Sequence, residues 1–317
     1  MSPYSVKVRS YFNYKNIPYE WTIRGAWNLK EFSELAKLPL IPLVVTPSGD
    51  VLQDSTPIIE HLESLYPSPS IHPENDSLRF ISALIEEYGD EWGNKIMFHF
   101  RWWHIDDQNA CARVLAHSRV TDDGDIEAQS HSIRERMSKR RYFTGSSEEN
   151  APLIKTYRDN LLAILEEHLR SRRYLFGNSP AFADFGLAPE LYELASDPTG
   201  GGVMKTRSPH TLAWCHRMLE PHGDGTFQTW AELKPTLAPL LKNAGDFFLP
   251  WSSANLNAVE SDDELFSVYL AGQEYSQKPQ KYHAKSLRVL QKRLTKLNNR
   301  DELDQILESN NCLKWLQ

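Results

Sequence analysis

At 317 residues the chain is long enough for two domains and well able to bury a core, and its formal charge of −7 argues against non-specific binding to nucleic acid. No stretch approaches the length needed to cross a bilayer, and no charged-then-apolar leader with a cleavage site is visible. The cysteines Cys111, Cys215 and Cys312 are too scattered for a disulfide framework or a metal-ligand spacing, so a reduced cytoplasmic setting is expected.

Ser2 and Pro3 open a helix predicted to run to about Lys15, the serine as N-cap and the proline at the first helical position. Asn16-Ile17-Pro18 ends it, and residues 19–24 read as a strand. Asn28 can cap a short helix through Leu35. The apolar runs Leu40-Ile41-Pro42-Leu43-Val44-Val45 and Val51-Leu52 then flank Pro47-Ser48-Gly49-Asp50, which predicts a β-hairpin. At Asp54-Ser55 a helix opens with apolar residues at Ile58, Ile59, Leu62 and Leu65 and runs to about Tyr66. The proline-rich stretch 66–73 reads as a linker, which places a first domain at residues 1–70.

Helical spacing dominates the remainder, near residues 76–117, 127–141, 150–171, 183–195, 208–219, 230–246 and 262–272. Residues 71–260 are expected to form an all-helical domain and residues 261–317 an additional helical extension. Lys281, Lys285, Arg288, Lys292, Arg293 and Lys296 make that extension locally basic, the ordinary mark of a solvated helix face. The run Glu86-Glu87-Tyr88-Gly89-Asp90-Glu91-Trp92, followed by His99 and His104, invites a metal reading. The helical di-metal pattern, however, wants a histidine three residues after a glutamate, and neither histidine stands there, so no metal is expected.

The junction between hairpin and helix carries the most chemistry. A proline beside a strand cannot donate a ladder hydrogen bond, so Pro42 marks an edge or a turn. A cis Ile41-Pro42 bond would turn the backbone of Ile41 outward to pair with an extended ligand. The free N–H groups and dipole at the start of the next helix favour a carboxylate. Asp54 or Ser55 can equally serve as a plain N-cap there.

Over roughly residues 2–250 the chain resembles the cytosolic-type glutathione transferases. Ser2-Pro3-Tyr4-Ser5-Val6-Lys7-Val8-Arg9 is similar to the catalytic loop and first helix of the serine-type classes. Ile41-Pro42 resembles the cis-proline loop, and Asp54-Ser55 the acidic-Ser pair that holds the γ-glutamyl group. Tyr174-Leu175-Phe176-Gly177 through Ala183-Asp184-Phe185-Gly186-Leu187 is similar to the start of the family's buried helix, with Ala181 where a Ser or Thr cap usually stands. Losing that hydroxyl should cost about 1 kcal/mol.

The resemblance implies a thioredoxin-like α/β domain followed by an all-α domain, here without the strand that precedes the catalytic loop in the family. It implies glutathione as co-substrate, bound by Ile41, Pro42, Asp54 and Ser55, with Ser55 on the γ-glutamyl carboxylate and Asp54 on the ammonium. A free thiol of this kind has a pKa of about 8.5, and the thiolate is the nucleophile. Ser2 is the implied hydrogen-bond donor to that sulfur, helped by the dipole of the first helix, and Ser5 is the neighbouring candidate. Lys37 is the cation nearest the place of a further basic contact and receives no role. Serine rather than cysteine points to conjugation, isomerisation or peroxide reduction of a small electrophile, a role in detoxification. Trp92, Phe98, Trp102 and Trp103 would line the cleft for that electrophile or simply fill core. The resemblance leaves room for a homodimer. Because the first strand is missing, the competing expectation is a non-catalytic, transferase-like interaction or ligand-binding module.

Overall fold

The computed structural model describes residues 2–120 and 124–317. Helix α1 spans Pro3–Lys15 and ends at Asn16, whose backbone enters the left-handed region (φ 52°). A turn of 3-10 helix at Ala26–Asn28 leads into α2, Leu29–Leu35. Strands β1 (Leu43–Val45) and β2 (Val51–Gln53) pair antiparallel, with Val44 opposite Leu52, and β1 follows a cis Ile41-Pro42 bond. Helix α3, Ser55–Leu65, buries Ile58, Ile59 and Leu62 on one face. The linker after it is tethered: Lys15 Nζ donates to the carbonyls of Tyr66 (2.8 Å) and Pro69 (2.5 Å), and Glu63 accepts from Tyr11 Oη and from the Ile71 N–H.

Residues 19–24 differ from expectation. They lie in no strand, and Trp21 is 44% exposed, its ring covered by the Arg9 guanidinium at 4.9 Å. Alternating apolar residues make a strand only where a neighbour supplies the ladder, and among the described residues none does here.

The helical part begins with α4 (Asp76–Tyr88), which passes through a π turn at Gly89–Gly93 into α5 (Asn94–Trp103). His104 takes an extended conformation and breaks the predicted 76–117 helix, so that α6 (Ile105–His117) starts afresh. There follow α7 (Ile126–Ser138), α8 (Ala151–Leu169), α9 (Phe182–Ala195), α10 (Pro198–Arg207), α11 (Pro209–Arg217), α12 (Trp230–Asn243) and α13 (Leu249–Glu260). Helix α9 is apolar on nearly every face and sits at the centre, with α1, α4, α5, α10 and α11 packed around it. Two glycines bring α4 and α9 together: a Cβ on Gly186 would fall 2.5 Å from the Glu86 carbonyl oxygen, and one on Gly89 2.7 Å from the Gly186 backbone.

The expected helix at 262–272 is instead a hairpin. Strand β3 (Phe266–Leu270) pairs with β4 (Gln273–Gln277), joined by Ala271 and Gly272, both at positive φ (50° and 80°). Two successive residues of that kind make the turn type that matches strand twist. The extension is therefore not wholly helical: the hairpin precedes α14 (His283–Thr295), α15 (Asp301–Ser309) and α16 (Leu313–Leu316). Tyr275 of β4 joins Trp92, Tyr157 and Trp251 in a buried aromatic cluster, with ring centroids 5.3–5.7 Å from Trp92. Trp92 is thus core, not cleft lining. Trp102 packs into a smaller core with Cys111 and Ile133, Phe98 packs partly buried against both cores, and Trp103 stacks on His99 (4.7 Å).

Candidate functional site

The starts of α1 and α3 meet. Lys7, one turn into α1 and 1% exposed, donates to Thr56 Oγ1 (2.9 Å) in the first turn of α3 and to Asp90 Oδ2 (2.6 Å), and also pairs with Glu86. Gln53 at the end of β2 draws in the loop before Pro42: its Oε1 accepts from the Leu38 N–H (3.1 Å) and its Nε2 donates to the carbonyls of Leu38 (2.9 Å) and Leu40 (3.0 Å). These two side chains gather three segments at one corner: the start of α1, the Ile41-Pro42 loop and the start of α3.

Within that corner Ser2 caps α1 through its carbonyl, which accepts from the N–H groups of Ser5 and Val6 (both 3.1 Å), while its hydroxyl makes no cap bond. Ser5 is buried in the first turn. Ile41 is at the surface, and Ser55 is 3% exposed at the first position of α3. Asp54 is the N-cap of α3 by its backbone, its carbonyl accepting from the Ile58 N–H (3.0 Å). Its side chain does not cap the helix, and its φ of 76° is unusual for a residue with a Cβ. Oδ2 of Asp54 instead accepts from the Tyr282 hydroxyl at 2.5 Å. Lys37 is exposed on the loop after α2.

Sequence reasoning missed Lys7, Gln53, Thr56 and Tyr282. A lysine flanked by Val6 and Val8 was the available signal for the first. The acidic run after Glu86, which had suggested a metal, supplies its partners. Among the described residues no group of three or more His, Cys, Asp or Glu could hold a metal ion. Burial opposes the charge on Lys7, but Asp90 and Glu86 outweigh it and hold the ammonium charged. Burial pushes the Asp90 carboxyl up to about 7 against the pull of Lys7, and pushes Glu87 to about 8. Burial also raises Glu190, whose carboxylate oxygens take no hydrogen bond among the described residues. Tyr4 closes the cluster, donating to the Asp90 carbonyl (3.1 Å) and accepting from Asn94 Nδ2 (3.1 Å).

Asp184 anchors the start of the central helix α9. Its carboxylate accepts from the N–H groups of Leu175 and Ala181 (both 2.9 Å) and from Trp214 Nε1 (2.8 Å). This is the acidic half of a capping box, with Ala181 leaving the hydroxyl half empty. Burial still lifts the Asp184 carboxyl to about 7.

Comparison with known proteins finds one family. A model described as glutathione S-transferase, N-terminal domain, matches residues 1–65, and one described as glutathione S-transferase, C-terminal domain, matches residues 149–217. No curated protein matches the sequence. Among solved structures, the chain is similar to a glutathione S-transferase from Rhodospirillum rubrum F11 (17% identity, 90% of this chain and 95% of that one, TM-score 0.44). It is similar also to one from Methylobacterium radiotolerans in complex with glutathione sulfonate (17% identity, 72% and 94%, TM-score 0.39). A third is a tau-class enzyme from mango, Mangifera indica (17% identity, 74% and 92%, TM-score 0.39). With a small-sheet first part and a mainly helical second one, the chain carries an N-terminal glutathione S-transferase domain at residues 1–65 and a C-terminal one at residues 149–217.

Proposed function

We propose that the protein binds glutathione at the corner between α1 and α3 and activates its thiolate for attack on a small electrophile. Ser55 would hold the γ-glutamyl carboxylate at the N-terminus of α3, Asp54 the ammonium, and Ile41 beside Pro42 the extended backbone of the peptide. Ser2, or failing it Ser5, would stabilise the thiolate by hydrogen bonding and by the α1 dipole. The observation that carries this reading is the pair of ties, Lys7 to Thr56 and Gln53 to Leu38 and Leu40, which bring the three segments to one corner. The division into a glutathione-binding unit at 1–70, a helical unit at 71–260 and an extension at 261–317 belongs to the same proposal, as does a cytoplasmic setting. Among the described residues no helix is long and apolar enough to cross a membrane.

Calorimetric titration of glutathione into the wild type and Ser55→Ala tests the reading. The variant should bind more weakly by about 1.5–3 kcal/mol, the range for a hydrogen bond to a charged group; equal affinity in a folded Ser55→Ala protein sinks the assignment. The exposed aromatic residues Trp21 and Trp27 support a second reading, a non-catalytic interaction module. It predicts no turnover with a generic electrophile such as an activated chloroarene.

A further inference from the structure

The residue that meets Asp54 comes from 228 positions further along the chain. Tyr282 stands immediately before α14, and its hydroxyl lies 2.5 Å from Asp54 Oδ2, within the range for an O–H donor on a carboxylate. We propose that Tyr282 is a positioning residue for ligand recognition, holding the Asp54 carboxylate so that its other oxygen receives the ammonium of a γ-glutamyl ligand. This rests on the reading of the corner as a glutathione site.

The geometry of both partners supports it. Asp54 has no local employment for its side chain: the helix it precedes is capped by backbone alone. At a φ of 76° the carboxylate projects away from the helix N-terminus toward α14. Oδ1 accepts no hydrogen bond among the described residues, so one donation from a neutral phenol leaves acceptor capacity for an ammonium. Burial and the Asp54 carboxylate both push the phenol upward, so Tyr282 keeps its proton and serves as the donor of the pair.

The tyrosine is also fixed in place. Two residues before it, Gln280 is clamped by Asn255, which accepts from its N–H (2.7 Å) and donates to its carbonyl (3.0 Å). The next residue, His283, is half-buried and packs on Trp251 at 5.4 Å between ring centroids. Helix α14 is tied down by Ser286 on Glu87 and Arg293 on Glu60, with Leu287, Leu290 and Leu294 in the core. Tyr282 therefore belongs to the frame of the molecule and not to a loose tail. A carboxylate otherwise free to rotate is held in one orientation, which lowers the entropic cost of binding a cation.

The test uses the full chain and two probes, glutathione and its γ-glutaryl analogue, which lacks only the α-amino group. Calorimetry on the wild type should show glutathione preferred. Tyr282→Phe should lower glutathione affinity by about 5- to 10-fold, the loss expected for one hydrogen bond, and leave the analogue's affinity unchanged. In an Asp54→Asn background the same change should have no effect on glutathione, as a double-mutant cycle requires of coupled residues. Equal losses for both ligands would make Tyr282 merely structural and overturn the proposal. So would tighter glutathione binding by Tyr282→Phe, which would mean that the phenol blocks the ammonium position. A Tyr282→Phe effect that persists undiminished in the Asp54→Asn background overturns it too. A wild type that binds both ligands equally removes Asp54 from recognition, and the proposal with it, but leaves Ser55 and the site standing; a wild type that binds neither removes the site itself, and this proposal with it.

Discussion

The Lys7 ammonium lies 2.6 Å from the Asp90 carboxylate and also pairs with Glu86 one turn earlier in α4, in a setting where Lys7 is 1% exposed. Both carboxylates come from the helical part of the chain and the lysine from its first helix, so this buried triad joins the two parts. Removing one member of such a group strands the others. Lys7→Met keeps the volume and removes the charge, and at pH 8 it should cost about 3–5 kcal/mol in urea unfolding. A loss below about 1 kcal/mol, the scale of an exposed pair, would mean that the carboxylates do not need the lysine.

The same cluster should make stability depend on pH in a stated direction. Burial raises the Asp90 carboxyl from its ordinary 3.8 to about 7, so between those values the folded chain holds more protons than the unfolded one. Its contribution is present at acid pH and declines as pH rises through about 4 to 7. Glu87, raised to about 8, and Asp184, raised to about 7, push the same way, so the slope must be taken as a difference between proteins. Asp90→Asn should flatten the fall in unfolding free energy between about pH 5 and pH 8 relative to the wild type. Identical slopes would show Asp90 ionised throughout that range.

What was legible in the sequence follows from how local each signal is. The hairpin Leu43 to Gln53 and the helix at Ser55 rest on a Pro-Ser-Gly-Asp turn and a helix start within a few residues of each other, and both are found. So is the role of Asp184 at the head of α9. The strand expected at 19–24 failed because alternation reports a capacity for pairing, and pairing needs a neighbour. Residues 266–277 failed in the opposite sense: Phe266, Leu270, Tyr275 and Gln277 face inward with spacings that are multiples of two within each strand, but Leu265, Val268 and Tyr269 imitate helical spacing. Lys7 with Asp90 and Tyr282 with Asp54 join residues 83 and 228 positions apart, and no local pattern in one chain announces such partners.

The two serines of the first turn can be separated by kinetics. Ser2→Ala should lower turnover with a generic electrophile far more than it lowers glutathione affinity, because its hydrogen bond matters most to the ionised sulfur. The ultraviolet absorbance of bound thiolate should weaken in parallel. If Ser5→Ala produces that pattern and Ser2→Ala does not, the buried Ser5 takes the role.

The close crossing of α4 and α9 gives a structural prediction with its own control. A methyl on Gly186 would sit 2.5 Å from the Glu86 carbonyl oxygen and 2.7 Å from the Glu86 Cα, both backbone atoms of a buried helix that cannot swing aside as a flexible side chain could. Gly186→Ala must therefore push α4 away from α9, at a cost of about 1–3 kcal/mol for overpacking. The displaced turn carries Glu86 and leads to Asp90, so the Lys7 triad and its tie to Thr56 should loosen with it, weakening glutathione binding as well as stability. Gly202 in α10 is the control: nothing lies within 4 Å of a Cβ built there, and its φ is not positive. Gly202→Ala should stabilise the protein by about 0.5–1 kcal/mol through helix propensity and reduced freedom of the unfolded chain, and leave ligand affinity alone. Thermal and urea unfolding of the two alanine variants decide the matter: a Gly186→Ala protein as stable as the wild type would mean that α4 and α9 stand further apart than the crossing at Gly89 and Gly186 requires.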